Sequence, residues 1–298
     1  MLVSVVIRTL NEATYLDELL QVIGLQIKDD FDVEVVIIDS GSTDGTLGIA
    51  ESHGCRVTFI TKDQFTFGRS LNMGSDFARG DILVYVSGHC VPSSDDWLKN
   101  LINPIINGTA TYTYGRQIGR DTTKYSERKI FEKYFPSTSN IPQKGFFCNN
   151  ANSAISQKTW RAFKFNEEIT GLEDMEMSKR ICYEGGQVAY IAEACIYHIH
   201  NEHWHQTRRR YERESIALQL IMPEVHINLM DMCRYICAAI ISDISAAIKE
   251  GCFLKEVFGI TKFRIAQYTG AYRGNHEHRE LSKKRKENYF YPNNTLKD

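Results

Sequence analysis

The sequence lacks the marks of several protein classes. Its 298 residues include only 6 prolines and no low-complexity tract, which leaves little room for a long flexible linker. No run approaches the roughly 20 apolar residues of a membrane-spanning helix, and no leader-like segment precedes the first apolar stretch. The eight cysteines show no paired spacing typical of a small disulfide scaffold. We therefore expect a cytoplasmic protein with reduced cysteines.

Net charge is small but uneven along the chain. The net charge is −2, yet residues 1–198 carry 19 Lys/Arg and 25 Asp/Glu, whereas residues 199–298 carry 16 and 12. A basic run, Lys283–Lys286, lies near the end. Such a region suits an anionic surface, for example the inner face of the cell membrane, although a solvated basic helix explains it equally well. We expect no nucleic-acid partner.

The first third of the chain alternates strand-like and helix-like segments. The predicted strands cover residues 2–7, 33–38, 57–61 and 81–86. The predicted helices end near Leu25, span 46–53 and span 71–78. Strands and helices that alternate at this spacing predict an α/β fold, with a mostly parallel sheet and flanking helices.

The rest of the chain changes character. We predict strands at 110–115, 152–156 and 188–197, and helices at 124–134, 157–163 and 173–184. After His198 the pattern is helical, and residues 229–248 carry an apolar face that we expect to pack against the body of the protein. Membrane insertion of that helix is the weaker alternative, because charged residues interrupt it. Asp243 lies on the apolar side without an evident reason.

Two of the predicted strands end in polar clusters. Val35–Ile38 leads into Asp39 and the Ser/Gly/Thr-rich segment 40–46, and Ile82–Val86 leads into Ser87-Gly88-His89-Cys90. Ligands of open α/β sheets lie outside the carboxyl ends of the strands, so both clusters are expected to face one pocket. Asp39 directly follows a buried strand and is a candidate ligand-binding carboxylate, whereas Asp44 also fits a simple helix cap.

Several motifs resemble the donor-binding half of family 2 glycosyltransferases. Ser4–Glu12 and Val36–Thr46 carry the resemblance, and the segments 67–72, 78–81 and 92–98 extend it. The resemblance is greatest to the bacterial rhamnosyltransferase-like branch that builds surface polysaccharides. It implies a GT-A nucleotide-binding sheet in residues 1–205, with a donor half at about 1–100 and an acceptor half at about 101–205. Residues 206–298 would form a helical, basic C-terminal region.

The resemblance also implies roles for individual residues. The donor nucleotide-sugar would contact residues near the carboxyl ends of the first, second and fourth strands. The residues expected there, together with Arg69 and Asn72 from the segment after the third strand, are Thr9, Asn11, Glu12, Asp39, Ser40, Ser87 and His89. Asp39 would bind the base, and Arg69 and Asn72 would lie near the base and diphosphate. Arg208, in a helix rich in arginine, is a further candidate for the diphosphate, although a solvated helix face explains it about equally well.

The acidic metal motif of the family is missing. The family usually has an Asp-x-Asp sequence or a shortened form where this chain has His89. Hard oxygen ligands suit Mg²⁺ or Mn²⁺, whereas imidazole suits softer metals. Metal dependence is therefore open. His89 could bind a metal, contact the donor directly or fill space, and direct contact is favoured.

A histidine near residue 198 completes the metal site in the resembling family. His198 is the better candidate of His198 and His200, and a two-histidine metal site with His89 follows if the two side chains meet. His198, His200, His203 and His205 might alternatively bind zinc, but no cysteine pair or carboxylate nearby completes such a site.

Glu173-Asp174 matches the Glu-Asp motif of the family at a helix start. By the resemblance, Asp174 deprotonates the acceptor hydroxyl, which general-base catalysis accelerates by about 10²–10⁴-fold. A helix cap is the simpler explanation of an Asp at this position. We predict an inverting transferase that extends a bacterial surface polysaccharide or lipid-linked glycan. A non-catalytic sugar-nucleotide-binding protein is the rival. A nucleotidyltransferase is less favoured, because the sequence lacks a glycine-rich, lysine-bearing phosphate loop.

Overall fold

The computed structural model describes residues 1–28, 30–276 and 289–290. Two compact units make up the chain. The first contains 1–120, 134–168 and 173–199, and the second contains 121–133, 169–172 and the chain from residue 200 onward. The basic run at 283–286 lies outside the described residues. The functional boundary proposed at residue 205 stays a prediction.

A parallel sheet forms the first part of the first unit. Strands β1 (Leu2–Thr9), β2 (Asp32–Asp39), β3 (Arg56–Phe59) and β4 (Ile82–Ser87) are arranged in the order β3-β2-β1-β4, all parallel. Helices α1 (Ala13–Gly24), α2 (Thr46–Ser52) and α3 (Phe67–Phe77) connect them. Valine and isoleucine at the buried positions of these strands explain the assignment, because β-branched residues pack well on a pleated surface.

The sheet continues from β4 with mixed strand directions. It adds β7 (Asn152–Ser156), β6 (Tyr112–Ile118), β8 (Val188–His198) and β5 (Cys90–Pro92), in that order. The pairs β4–β7, β7–β6 and β8–β5 are antiparallel, and β6–β8 is parallel. The prediction of an α/β fold with flanking helices is confirmed, and the parallel pairs are concentrated in β1 to β4.

Three more helices of the first unit follow these strands. They are α4 (Trp97–Ile106), α6 (Gln157–Phe163) and α7 (Glu173–Tyr183). Sequence reasoning assigned neither α4 nor the short strand β5. Trp97, Leu101 and Ile102 of α4 are fully buried, so this helix contributes to the main core although Pro104 lies inside it.

The second unit is helical. It comprises nearly all of α5 (Tyr125–Tyr134) together with α8 (Trp204–Ile221), α9 (Leu229–Lys249) and α10 (Phe253–Asn275). Among the described residues, no helix is long and apolar enough to cross a membrane.

The apolar face predicted for α9 packs inward only in part: Ile244 lies against a small buried core of Tyr125, Ala247 and Ile260, whereas the two ends of the face are exposed. Leu229 and Ile248 are each 60% exposed, and only Asp243 and Ala247 of this helix are buried. Asp243 accepts two hydrogen bonds from the Arg264 guanidinium, at 2.7 and 2.8 Å, and one from Ser126 Oγ at 2.6 Å. This buried ion pair fixes which side of α9 faces inward, and it explains the carboxylate on the apolar side.

Candidate active site

Asp39 organises the loop that follows β2. Its side chain is fully buried. Oδ2 accepts hydrogen bonds from Thr9 Oγ1 at 2.8 Å and Ser42 Oγ at 2.5 Å, and Oδ1 accepts from the backbone N–H groups of Gly41 and Ser42, both at 2.9 Å. Four donors satisfy this carboxylate within the protein. Base binding by Asp39 stays a prediction, and the observed role is to hold the loop.

Asn11 and Ser40 join the loops that follow β1 and β2. Asn11 has a φ of 57°, in the left-handed region that Asn tolerates better than most residues. Its N–H donates to Ser42 Oγ and its Oδ1 accepts from the Thr43 N–H, both at 2.8 Å. Ser40 Oγ donates to the Thr9 carbonyl at 3.0 Å. The predicted donor residues of these two loops therefore lie together.

Asp44 is a helix-capping residue, as its simpler interpretation predicted. Oδ1 accepts the N–H of Thr46 at 3.0 Å and Oδ2 accepts the N–H of Ala13 at 3.1 Å, so one carboxylate serves the beginnings of α1 and α2. Hydrogen bonds from Thr46 and Ala13 outweigh burial and lower the pKa of Asp44 below its usual value.

Glu12 connects this region to the end of β4. Its N–H donates to Thr46 Oγ1 at 2.9 Å, and its Oε1 lies 3.0 Å from His89 Nδ1. The carboxylate thus gives His89 a hydrogen-bond acceptor and fixes one ring nitrogen. Ser87 ends β4 two residues before His89, on the same polar turn.

His89 and His198 meet, as the two-histidine hypothesis required. Their Nε2 atoms are 3.3 Å apart, and the rings stack with centroids 5.2 Å apart and planes 25° from parallel. His198 Nδ1 lies 2.7 Å from Gln117 Oε1, and Gln117 Nε2 donates to Asn149 Oδ1 at 3.0 Å. The Gln117 amide is therefore oriented with its oxygen toward His198.

The hydrogen-bond partners of the two histidine rings indicate which nitrogen of each ring carries the proton. Each Nδ1 faces an oxygen acceptor, so each neutral ring carries its proton on Nδ1 and leaves a lone pair on Nε2. With this assignment, a cation placed between the two Nε2 atoms, which are 3.3 Å apart, would contact both rings. Two nitrogen ligands at about 2.0–2.1 Å from a tetrahedral ion would stand about 3.4 Å apart. The histidine pair therefore fits a metal ion.

Cys90 lies beside the histidine pair. Its Sγ and the ring nitrogens of His89 and His198 lie within 4.8 Å of one another, and across the described ranges this is the one group of at least three possible metal ligands. Burial raises the pKa of the Cys90 thiol well above its usual value, and the negative charge of Glu12 adds to that effect. The thiol is therefore neutral as the site stands.

The other histidines do not join this pair. His200 Nδ1 lies 2.8 Å from Glu127 Oε1, in the second unit. His203 precedes α8, and its carbonyl accepts the N–H groups of Gln206 and Thr207 in the first turn of that helix, both at 3.0 Å. The His203 ring stacks on the His205 ring. The four-histidine zinc site, the alternative raised by the sequence, is not formed among the described residues.

Asp174 lies buried at the beginning of α7, 7% exposed. Oδ2 accepts the Asn150 N–H and Oδ1 accepts the Met175 N–H, both at 2.7 Å. Burial, reinforced by the adjacent Glu173 carboxylate, raises the pKa of Asp174 to about 7, against the opposing effect of the two N–H donors and Arg8. A carboxylate with a pKa near 7 is suited to act as a general base at neutral pH.

Arg8 brings positive charge to the Glu173-Asp174 pair. Its Nη1 lies 3.7 Å from Glu173 Oε1, and its guanidinium stacks 4.8 Å from the centre of the Phe67 ring. Arg8 precedes Thr9 on β1, so the acidic pair and the loops around Asp39 share one strand end. Sequence reasoning missed Arg8, although its position within the Ser4–Glu12 motif was a usable signal.

Asn72 and Arg69 form hydrogen bonds to residues in and just after α6. The Asn72 amide donates to Phe165 O and Glu167 Oε1, both at 2.9 Å, and accepts from Trp160 Nε1 at 3.1 Å and Phe165 N at 3.0 Å. Arg69 Nε donates to Glu167 Oε2 at 2.7 Å. These two side chains hold the segment after α6, and their predicted contact with the donor stays a prediction.

Arg208 lies on α8, in the second unit. Its Nε is buried without a hydrogen-bond partner among the described residues, and its guanidinium lies 6.0 Å from the Trp204 ring. Its neighbour Arg210 pairs instead with Glu127 at 2.6 Å and Glu202 at 3.0 Å. Of these two arginines, Arg208 is the one whose Nε–H is available to donate a hydrogen bond to an anion.

A cavity of about 370 Å³ lies in the first unit, between residues 114 and 190 of the chain. It is lined by Tyr114, Tyr134, Pro136, Thr138, Ser139, Asn140, Gln143 and Tyr190. The segment from Gln143 continues to Asn150, whose N–H binds Asp174. Aromatic rings with polar neighbours are the usual lining of a small-molecule site.

The chain is similar to known glycosyltransferases in sequence. The model of glycosyl transferase family 2 matches residues 4–165. The chain is 26% identical over 191 residues to the O-antigen chain rhamnosyltransferase WbaN of Salmonella anatum, and the alignment covers 60% of each protein. It is 24% identical over 227 residues to the O-antigen chain rhamnosyltransferase RfbN of Salmonella typhimurium, with 71% of this chain and 70% of RfbN covered.

The fold is similar to that of a solved mannosyltransferase. The match is PcManGT of Pyrobaculum calidifontis, a structure in complex with GDP-Man and Mn²⁺, with a TM-score of 0.64 and 17% identity. It covers 93% of this chain and 88% of PcManGT, which supports the predicted GT-A fold. The family model matches more than half of the chain. The protein therefore belongs to glycosyl transferase family 2.

Proposed function

We propose that the protein transfers a sugar from a nucleotide-sugar donor to a growing bacterial surface polysaccharide or lipid-linked glycan, with inversion at the anomeric carbon. The observation that carries the proposal is the buried Asp174 carboxyl, with a pKa of about 7 and a position beside the same strand end as the Asp39 loop. The similarity to two O-antigen rhamnosyltransferases supports the polysaccharide acceptor.

In the proposed reaction Asp174 accepts the proton of the acceptor hydroxyl. As that proton leaves, the hydroxyl oxygen forms a bond to the anomeric carbon, and the bond from that carbon to the diphosphate breaks on the opposite face. Inversion follows from this single displacement. Glu173 raises the proton affinity of Asp174 and Arg8 lowers it, so the two charges together set the pH at which the base is ionised.

The donor would lie against the loops that follow β1, β2 and β4. The Asp39 hydrogen bonds keep residues 40–43 in place, so that Asn11, Ser40 and Ser87 are presented at the strand ends. The GDP-Man complex of PcManGT supports a nucleotide-sugar as the donor class. The base and the sugar are left open by this proposal.

His89 and His198 would hold a divalent cation through their Nε2 atoms. Such an ion, when bound, supplies positive charge against the leaving diphosphate. Two imidazoles favour softer ions than an all-carboxylate site does, so Mn²⁺ is a better candidate than Mg²⁺. The Mn²⁺ of PcManGT supports a divalent ion in this class of fold. Glu12 and Gln117 fix the rings through Nδ1.

The acceptor would occupy the aromatic cavity next to the segment that binds Asp174. Tyr134 is 49% exposed and offers apolar surface to the face of a sugar ring, whereas Tyr114 and Tyr190 are buried with 5.1 Å between their ring centres. Asn140 and Gln143 supply polar groups at its rim. A lipid-linked acceptor would also bring the protein to the inner face of an anionic membrane.

The Asp174→Asn variant tests the assignment of the base. It should bind donor with nearly unchanged affinity, measured by isothermal titration calorimetry, and should transfer sugar at least about 100-fold more slowly. The control is Glu176→Gln, which removes a carboxylate that pairs with Arg180 on the same helix. Full turnover by the Asp174→Asn variant would refute the proposed base.

A non-catalytic donor-binding protein is the second candidate, because Ser87–Cys90 contains no carboxylate. The two candidates differ in one measurement. Wild-type protein incubated with a panel of nucleotide-sugars and Mn²⁺ should release the nucleotide diphosphate if it is an enzyme. Donor-induced thermal stabilisation without any release or transfer would favour the binding protein.

A further inference from the structure

The turn between α9 and α10 exposes large apolar side chains. Leu254 is 86% exposed, Phe258 is 76% exposed and Ile248 is 60% exposed. Leu254 and Phe258 are four residues apart on α10, so they project from one face of that helix. We call Ile248, Leu254 and Phe258 the hairpin tip. Side chains of this size in one short stretch indicate an interaction surface.

The hairpin tip stands on a well-packed base within the second unit. Tyr125, Ala247 and Ile260 form a small buried core beneath it. The turn itself is closed by backbone hydrogen bonds from Gly251 N–H to Ile248 O at 3.1 Å and from Cys252 N–H to Ala247 O at 2.9 Å. The tip side chains are therefore exposed by a defined backbone.

Exposed lysines alternate with the apolar side chains of the tip. Lys249, Lys255 and Lys262 are all exposed, and each lies next to or within four residues of a tip residue. Two acidic residues nearby lie within ion-pair distance of lysines: Glu250 accepts from Lys129 at 2.7 Å, and Glu256 lies 4.0 Å from Lys255, so Lys249 and Lys262 supply the excess positive charge. The surface is therefore apolar with a positive surround.

The combination of exposed lysines and large apolar side chains favours a lipid surface over a protein as the partner. Lysine is depleted at the centres of protein–protein interfaces. At a membrane interface the long lysine stem lies along apolar surface while the ammonium reaches the headgroups. Near an anionic leaflet, each such positive charge also strengthens binding.

We propose that the hairpin tip docks this protein on an anionic lipid bilayer, with Leu254 and Phe258 entering the interface and Lys249, Lys255 and Lys262 contacting the lipid phosphates. The proposal deepens the proposed function, because a lipid-linked acceptor lies in the same bilayer. It concerns residues of α9 and α10 alone, and it does not depend on the basic run that follows α10.

Co-sedimentation of the full chain with lipid vesicles tests this proposal, without donor or acceptor in the sample. Wild-type protein should pellet with phosphatidylcholine vesicles that contain phosphatidylglycerol, and much less with pure phosphatidylcholine. The double variant Leu254→Ser/Phe258→Ser should bind at least about tenfold more weakly. The matched control is Tyr183→Ser, which removes an aromatic side chain that is 89% exposed on α7 of the first unit.

Tryptophan emission locates the contact. A Phe258→Trp variant should show a blue shift when anionic vesicles are added, because its indole leaves water. No wild-type binding, or binding that the double variant retains in full, overturns the proposal. Vesicle-independent self-association of the wild type that the double variant loses would assign the tip to a second copy of the chain, which also overturns it. Neither result bears on Asp174, because transfer to a water-soluble acceptor is measured separately.

Discussion

Replacing Asp174 with Asn should change the pH dependence of stability in a defined direction. The pKa of Asp174 rises from an ordinary 3.8 to about 7 on folding. Below about pH 3.8 both states are protonated, so the carboxyl costs nothing. Between these values the folded state keeps a proton that the unfolded state releases, and the wild type loses stability as pH rises. Above about 7 the loss is complete, on the order of 4 kcal/mol.

In the Asp174→Asn variant the side chain at position 174 does not titrate, so its contribution to the free energy of unfolding does not change with pH. The difference in the free energy of unfolding, variant minus wild type, should therefore grow by on the order of 2–3 kcal/mol between about pH 5 and about pH 8. Asn keeps one acceptor for the N–H groups of Asn150 and Met175, and the cost of the lost acceptor is constant with pH, so it cancels from this change.

Urea unfolding followed by tryptophan fluorescence measures this change. Trp97 and Trp160 are fully buried in the first unit, which also contains Asp174, so their emission reports the relevant transition. Asp76→Asn is the control, because Asp76 is an exposed carboxylate on α3 that pairs with Lys164. A difference that moves by less than about 0.5 kcal/mol, or that shrinks as pH rises, would refute the burial argument for Asp174.

Three further outcomes are expected. The kcat/KM for sugar transfer should fall about tenfold per pH unit below about pH 7, since only ionised Asp174 accepts a proton, and a flat profile from acid to neutral pH would contradict this. Asn72→Ala should lower the free energy of unfolding by about 3 kcal/mol, because it leaves the buried Trp160 N–H unpaired, and a loss below about 1 kcal/mol would be inconsistent. Arg264→Met should lower it by about 3–5 kcal/mol by leaving Asp243 buried without its partner, whereas thermal unfolding of Arg264→Met/Asp243→Leu should recover most of that loss. Equal destabilisation of the single and double variants would argue against the ion pair as the cause.

The local pattern of the sequence predicted most of the first unit. β1, β2 and β4 are continuous apolar runs with turn residues at their ends, and such runs need no distant information to be recognised. The start of α7 at Glu173 was also predicted, from the Glu173-Asp174 motif that follows Gly171. By contrast α4 was not assigned, since Pro104 inside it argues locally against a helix.

Side-chain partners distant in sequence could not be predicted. The Asn72 amide was expected near the donor, yet its partners lie in the segment 160–167, and no local pattern announces that contact. The reason for a carboxylate on the apolar side of α9 could not be predicted, because Arg264, the partner of Asp243, lies 21 residues away on another helix. The sequence left open whether His89 and His198 meet; the structure places them in contact, and the metal site stays a prediction. The supporting Glu12 and Gln117 contacts carried no signal in sequence.

Glu12 links two parts of the strand-end region through different atoms. Its backbone N–H donates to Thr46 Oγ1 at the start of α2, and its side-chain Oε1 lies 3.0 Å from His89 Nδ1. The position of the loop after β1 therefore also sets the position of the carboxylate that orients His89. Any movement of that loop would be transmitted to the His89 ring, two residues beyond the end of β4.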